Sequence, residues 1–380
     1  MNKLVGLSLF ANVGVAEAYM REIGVDIVLA NELIYERALF YSEVYPHTEM
    51  ICGDITDDNV RASIINKAIE QKVDFIIATP PCQGMSKLGS MSPNDVRNQL
   101  VYYAVDVIKK VKPKFILLEN VPQALITKIE VDGKVMLIPD YLRQELGDLY
   151  NINEDQRVKA MDHGVPQMRP RCIFLFARKD TKIVWDFPAI QEKVVTLKEA
   201  LKNIPSLDPL LREGYEETIK MFPDFEQKKA QGLAVSKWHY PPTHSKRHVE
   251  WMMHTPSGTS AIYNELYYPQ KKDGSRISAH ENQYRRHSWD KPCRTITQNN
   301  GVISSLCCVH PGYPIEQSDN ETLYSDARVF SIYELLIVSS LPTDWPIPSW
   351  AKENLIRNVI GEGIPPLLVK NIMLELIKQI

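Results

Sequence analysis

Cysteine is scarce in this chain, with six residues among 380. Small secreted domains held by disulfides are far denser in cysteine, so a disulfide scaffold is excluded. Long apolar runs are missing too: nothing approaches the ~18 consecutive apolar residues of a membrane-spanning helix. Neither an internal repeat nor a low-complexity tract occurs. An excess of one charge sign is also absent, since 44 Lys and Arg face 47 Asp and Glu, a net charge of −3. That balance speaks against a protein that coats nucleic acid without regard to sequence. What remains is ordinary: 44% hydrophobic and 24% charged residues, a globular composition that excludes a disordered chain, a collagen and a coiled coil. At about 150 residues per domain, the length suggests two domains or one large domain with an insertion.

Residues 4–16 are mostly apolar and follow Lys3, which imitates a secretory signal. Asn12 inside the run and Arg21-Glu22 soon after it argue for a strand (4–10), a tight turn and a helix start instead. Strand-length apolar runs follow at 26–30, 74–78, 115–118 and 172–177, with helical stretches at 15–23, 34–41, 59–71 and 95–111. Asp57-Asp58 offers an N-cap to the third of these helices. Strand–helix alternation predicts an α/β fold, a parallel sheet covered by helices on both faces. In such sheets ligands bind beyond the carboxyl ends of the strands, so the residues just after each strand carry the interest.

The alternation stops near residue 185. Between 237 and 287 the chain carries eight Lys or Arg and four acids, a local excess of four positive charges, and six of its nine His. Trp238, Trp251, Tyr263, Tyr267, Tyr268 and Tyr284 are interleaved with them. That mixture suits a nucleic-acid surface and equally a solvated, loop-rich insertion. His244 and His248 lack a second ligand pair at metal spacing, so no metal is expected. Apolar patterning returns after 326, at 329–339, 355–360 and 367–377.

Three groups could carry chemistry. The strand 74–78 runs into Thr79-Pro80-Pro81-Cys82-Gln83-Gly84. Two prolines fix the backbone before a cysteine, and Gly84 permits a bend after it. A thiol displayed there can be a nucleophile if a base or positive charge lowers its pKa. Cys52, Cys172, Cys293, Cys307 and Cys308 read instead as small buried apolar residues. The next strand ends in Glu119-Asn120-Val121-Pro122. A carboxyl desolvated at that edge can hold a proton near neutrality, or cap a helix. Gln167-Met168-Arg169-Pro170-Arg171 precedes the strand 172–177, and alternate residues there point one way. Phe10 to Gly14 is not a G-x-G-x-x-G fingerprint, but Glu32, about 20 residues on, stands where an acid can bind ribose, and Asp54 could meet an adenine amino group.

Taken in order, these residues resemble the DNA cytosine-C5 methyltransferase family. Pro80 to Ser86 looks like its Pro-Cys-Gln loop, Glu119-Asn120-Val121 like its Glu-Asn-Val motif, and Gln167 to Arg171 like its Gln-x-Arg-x-Arg. Arg294 to Thr297 and Ile360 to Pro366 resemble its later motifs, so the likeness spans residues 4 to about 372. Two positions depart from the pattern. Asn12 replaces a glycine of Phe-x-Gly-x-Gly, and Glu362 replaces the asparagine of the closing Gly-Asn.

The resemblance implies a Rossmann-like S-adenosylmethionine-dependent methyltransferase domain (1–185 and 326–380) with a smaller, irregular target-recognition domain (186–325) inserted. Cys82 would attack C6 of a cytosine flipped out of duplex DNA, and Glu119 would bond the ring N3. Arg171, Arg169 and Gln167 would hold the base carbonyl or the loop 84–98 that closes over it. S-adenosylmethionine would lie against Phe10, Ala11, Asn12, Gly14, Glu32, Leu33, Asp54, Ile55, Pro80, Leu100, Glu362 and Gly363. DNA would meet Gln83, Ser86, Lys87, Lys246, Arg247, Arg276, Arg285, Arg286 and Thr297. The implied setting is a cytoplasmic, nucleoid-associated monomer, with a cognate restriction endonuclease on another chain. The rival readings are a tRNA cytosine-C5 methyltransferase of the same family and a non-catalytic DNA-binding homologue. No Cys-Phe-Thr run of the tRNA branch is found.

Overall fold

The computed structural model describes residues 4–81, 99–131, 133–318 and 321–380, with 155–157, 316–318 and 321 described by backbone alone. Its centre is a sheet of β1 (Leu4–Leu9), β2 (Val25–Glu32), β3 (Glu49–Cys52), β4 (Phe75–Ala78) and β5 (Phe115–Asn120). After a small hairpin of β6 (Lys128–Val131) and β7 (Lys134–Leu137), β8 (Tyr150–Lys159) and β9 (Pro170–Arg178) complete it. The seven strands lie in the order β3-β2-β1-β4-β5-β9-β8. Between them run α1 (Tyr35–Val44), α2 (Asp58–Glu70), α3 (Leu100–Val111) and α4 (Ile138–Leu146). Asp57 caps α2 as predicted, its Oδ1 accepting from the N–H groups of Asn59 and Val60 at 2.8 and 3.0 Å.

The next stretch holds α5 (Leu197–Leu201), α6 (Tyr215–Met221), α7 (Phe225–Val235) and α8 (Lys246–Met253), with the short pair β10 (Leu210–Leu211) and β11 (Thr243–His244). A hairpin of β12 (Pro314–Ser318) and β13 (Glu321–Tyr324) closes it. The chain then returns to the sheet through α9 (Ile332–Val338), α10 (Glu353–Glu362) and α11 (Pro366–Ile377).

Period-two alternation sends neighbouring side chains of the central strands to opposite faces. Ile76, Ala78, Ile116 and Leu118 pack with α2, α3 and α4. Phe75, Ile77, Phe115 and Leu117 pack with Leu368, Val369 and Ile372 of α11. Both faces are therefore buried, as the run of apolar residues in β4 and β5 requires. A separate core gathers Leu211, Phe222, Phe225, Trp251, Met252, Ile303 and Val329.

Three expectations are corrected. The sheet is mixed: β1 to β5 pair in parallel, but β9 runs antiparallel to β5 and β8 antiparallel to β9. The stretch 15–23 is a series of tight turns ending in a 3-10 turn, Arg21–Ile23, instead of an α-helix. Positive φ at Phe10, Asn12 and Gly14 directs the chain into that series, with Gly14, Glu17 and Met20 each donating three residues back. The strand β8 was not expected, because its sequence is polar, which suits an edge position.

Among the described residues no helix is long and apolar enough to cross a membrane, and no group of three or more His, Cys, Asp or Glu is placed to hold a metal ion.

Candidate active site

The carboxyl ends of β1, β2, β4 and β5 share one edge of the sheet, and the antiparallel direction of β9 brings its beginning to the same edge. In the register, Asn120 faces Cys172 and Glu119 faces Ile173. Arg171, which precedes those residues, thus stands beside the end of β5. Its Nε lies 2.6 Å from Glu119 Oε1, and both side chains are about nine-tenths buried. Burial raises the Glu119 carboxyl above its usual range, and the Arg171 and Arg169 charges only partly oppose this. The carboxyl is therefore placed to exchange a proton while a guanidinium steadies its anion.

Asn120 ties this pair to the preceding loop. Its Nδ2 donates to the Pro80 carbonyl at 3.1 Å, and its Oδ1 accepts from the Val121 N–H at 2.8 Å. Thr79 is bonded to the loop after β1 through its N–H to Leu9 O (3.3 Å) and its hydroxyl to Phe10 O (3.2 Å). The backbone two residues ahead of position 82 is thus held from both neighbouring strands. Cys82, Gln83, Ser86, Lys87 and the expected closing loop 84–98 lie outside the described residues.

Gln167 and Arg169, expected with Arg171 to hold the base carbonyl or the loop 84–98, are bonded to other parts of the chain. Arg169 is buried, and donates to the carbonyls of Ile296 (2.7 Å), Gly361 (2.9 Å) and Glu362 (2.8 Å). Gln167 donates to Val338 O at 3.2 Å and accepts from the Ile296 N–H at 3.1 Å. Both act on the chain, joining the 293–297 segment to the last helices, while Arg171 alone of the three reaches Glu119.

The expected cofactor residues cluster at the same edge. Asn12 and Gly14 bend the loop after β1 with φ of +50° and +79°. A Cβ at Gly14 would stand 2.1 Å from the Tyr45 ring, so only glycine fits there. Glu32 ends β2; its carboxylate accepts from the N–H groups of Asn12 (2.8 Å) and Ile34 (2.9 Å). Leu33 and Tyr35 beside it are 61% and 72% exposed, an apolar ledge at a polar rim. Asp54 follows β3 and accepts from the Thr56 N–H at 2.9 Å, next to the buried Ile55. Leu100 begins α3. Gly363 packs on Val15, which a Cβ would approach to 2.6 Å. Asn12 Oδ1 is buried with no partner among the described residues, an acceptor left unsatisfied. Acid, apolar ledge, glycine cradle and unsatisfied acceptor together fit a nucleotide-like cofactor.

The expected DNA contacts divide. Arg247 and Arg276 are exposed, each over an aromatic ring, Trp251 at 5.5 Å and Tyr268 at 3.6 Å. Lys246 pairs with Glu217 at 2.7 Å, Arg285 donates to Gly258 O at 2.7 Å, and Thr297 is half-buried. Arg286 is a correction: it is 1% exposed and donates to the carbonyls of Met252, His310 and Asp326, so it holds the interior together and does not face a ligand. Several histidines of the basic stretch behave likewise. His239, His244 and His287 are buried, and burial pushes His244 and His287 down to about 3, leaving them neutral. Among the cysteines, Cys172, Cys293, Cys307 and Cys308 are buried as expected, whereas Cys52 is exposed at the end of β3.

Two features escaped the sequence reading. Arg37 on α1 pairs with Glu362 at 2.8 Å, and nothing local in the sequence marks it. A fully buried triad joins Arg328 to Asp326 and Glu334, each at 2.7 Å. Ser331 and Glu334 form a capping box at the start of α9, a Ser-x-x-Glu pattern visible in the sequence.

The fold, a mixed sheet flanked by helices with these residues gathered at its carboxyl edge, is that of an α/β enzyme of the methyltransferase class. Among solved structures, one described as a DNA modification methyltransferase encoded within an E. coli prophage superposes with a TM-score of 0.66 over 98% of both chains at 21% identity. Spodoptera frugiperda DNMT2 superposes with a TM-score of 0.61 at 14% identity, over 98% of this chain and 99% of that one. The sequence is 41% identical to Type II methyltransferase M1.HgaI of Avibacterium volantium over 99% of each chain. It is 26% identical to Type II methyltransferase M.DdeI of Desulfomicrobium norvegicum over 96% of this chain and 86% of the relative. The pattern of the C-5 cytosine-specific DNA methylase family matches residues 4–378, and the chain belongs to that family. It is a DNA cytosine-C5 methyltransferase, and its reaction takes a methyl donor and a DNA substrate.

Proposed function

We propose that the methyl donor is S-adenosylmethionine and that the chain is the modification enzyme of a Type II system, methylating C5 of one cytosine in a specific duplex sequence. Similarity to a Type II relative along the whole chain supports the second part. The acid, ledge and glycine cradle around Glu32 support the first. A cognate endonuclease on a separate chain, a monomeric state and a cytoplasmic, nucleoid-associated location belong to the same reading. The domain division follows too: catalytic parts 1–185 and 326–380, target-recognition part 186–325. The separate core between Leu211 and Val329 supports an inserted unit. The exposed Arg247 and Arg276 suit its contacts to phosphate or bases.

The chemistry is assigned to this chain's residues as follows. Cytosine C5 is a weak nucleophile. The Cys82 thiolate bonds C6, moving the electron pair of the C5–C6 double bond toward C5 and the ring. Glu119 donates a proton or hydrogen bond at N3, where negative charge develops, and its burial suits the protonated form. Arg171 orients that carboxyl and holds it after proton transfer. Asn120 fixes the Pro80 carbonyl and so the approach to Cys82. Bound S-adenosylmethionine supplies an electrophilic methyl group. A base then removes the C5 proton, and the electron pair of that C–H bond re-forms the C5–C6 double bond as the sulfur leaves. Reaching C5 requires the base to leave the duplex.

The observation that carries the proposal is the buried Glu119–Arg171 pair at the end of β5, where the next residue, Asn120, holds the Pro80 carbonyl. DNA containing 5-fluorocytosine tests it, because fluorine at C5 cannot depart as a proton does. With S-adenosylmethionine, wild-type protein is expected to form a covalent adduct that survives denaturing electrophoresis, and Cys82→Ala none. An undiminished adduct with Cys82→Ala would refute the nucleophile assignment.

A further inference from the structure

One polar cluster joins parts of the chain that are remote in sequence. Asn12 Nδ2 donates to Glu362 Oε2 at 3.0 Å, across a separation of 350 residues. Arg37 grips the same carboxylate with both terminal nitrogens, at 2.8 and 3.1 Å. The Asn12 N–H is held by Glu32 at 2.8 Å. Behind Glu362, Arg169 fixes the carbonyls of Gly361 and Glu362, and a Cβ at Gly361 would stand 2.2 Å from Thr297 O. The end of α10 is therefore locked by its backbone, and its last side chain closes on the loop after β1.

Asn12 and Glu362 are also the two positions where the sequence departs from its motif pattern, and they touch. The changes are chemically matched. Glycine at 12 could offer no side-chain donor, and asparagine at 362 could not present a carboxylate to Arg37. Asparagine tolerates the left-handed backbone at 12 better than most residues, so its side chain is gained there at modest conformational cost. Its Nδ2 is used by Glu362, while its Oδ1 stays buried and unpartnered among the described residues.

We propose that Asn12 and Glu362, braced by Arg37, form one matched positioning pair for the methyl donor. Together they clasp the loop after β1 to the end of α10, and the open Asn12 amide oxygen accepts from a donor group of the bound cofactor. This rests on the reading of S-adenosylmethionine as that cofactor. Neither residue acts on the reacting atoms. The pair sets the shape of the cradle.

A double-mutant cycle read by affinity tests this, with S-adenosylhomocysteine as the unreactive probe and titration calorimetry as the measurement. Asn12→Gly and Glu362→Asn are each expected to weaken binding about 10-fold, and the double variant to bind no more weakly than Asn12→Gly alone, because the Asn12 amide is already gone and Glu362 then has nothing to position. The gentler Glu362→Gln keeps an acceptor for Asn12 and removes the charge facing Arg37; about three-fold weaker binding is expected. Thermal melting of the same proteins without ligand separates positioning from mere bracing. Variants that lose melting temperature yet keep wild-type affinity would overturn the proposal. Losses that multiply in the double variant would overturn it as well. Wild-type protein that fails to bind the probe would instead overturn the S-adenosylmethionine reading beneath it.

Discussion

Glu119 is pulled two ways. Its guanidinium neighbour favours the anion, and its burial favours the acid; the second prevails, leaving the carboxyl raised. A group in that state can donate to a ring nitrogen and then tolerate the charge it acquires. Glu119→Gln keeps the size and one acceptor but cannot transfer a proton. It is expected to lower single-turnover methyl transfer by about 100-fold or more while leaving cofactor affinity near wild type. An unchanged rate would remove Glu119 from the mechanism. At this scale the motif residues stand out in the sequence as a set, because each adjoins an end of a strand-length apolar run. The separate tasks of Arg171 and Arg169 do not. Both look alike in Gln-x-Arg-x-Arg, and what distinguishes them is partners more than a hundred residues away.

Among the elements, β9 decides the architecture of the site. Its antiparallel course turns residues that precede a strand into neighbours of residues that end one. Strand–helix alternation predicts parallel strands, and it fails at β9 because β8 and β9 follow one another as an antiparallel pair. Arg169 then carries that strand's start across to α10 and to the segment after the insertion. Arg169→Met would leave three buried carbonyls without their charged donor. A loss of about 4 kcal/mol or more in unfolding free energy is expected from urea titration, since each of the three charged bonds contributes about 1.5–3 kcal/mol. Stability equal to wild type would show that these contacts are dispensable. The run at 15–23 was misread for an equally local reason: apolar spacing suggested a helix, and backbone turns through Phe10, Asn12 and Gly14 prevented it.

For the molecule as a whole, the near-zero net charge hides two populations of basic residues. Arg247 and Arg276 are exposed, Arg276 also donating to the carbonyls of Ile262 and Asn264, whereas Arg286 and Arg328 are buried and satisfied by carbonyls and carboxylates. Composition counted them together. The buried groups also set the response to pH. Burial pushes Glu334 up, but Arg328 and His310 outweigh it and hold the carboxyl at about 2, below its model-compound value of 4.5. His244 and His287 sit near 3, below 6.5. The unfolded chain binds these protons at higher pH than the folded one, so the contribution of these groups is full above about 6.5, while buried Glu17, raised to about 7, acts in the opposite sense. It falls first as the histidines of the unfolded state charge, then further between 4.5 and about 2. Urea midpoints measured from pH 8 to pH 4 are expected to decline below 6.5, and a flat profile would contradict the buried, neutral assignment.

The central claim is that this chain writes 5-methylcytosine into duplex DNA with Cys82 as its nucleophile. Bisulfite sequencing of DNA from cells expressing the chain tests it most directly. Protection is predicted at one cytosine of a single recurring sequence with the wild-type protein, and at none with Cys82→Ala. Equal protection with both proteins, or none with either, would contradict the account.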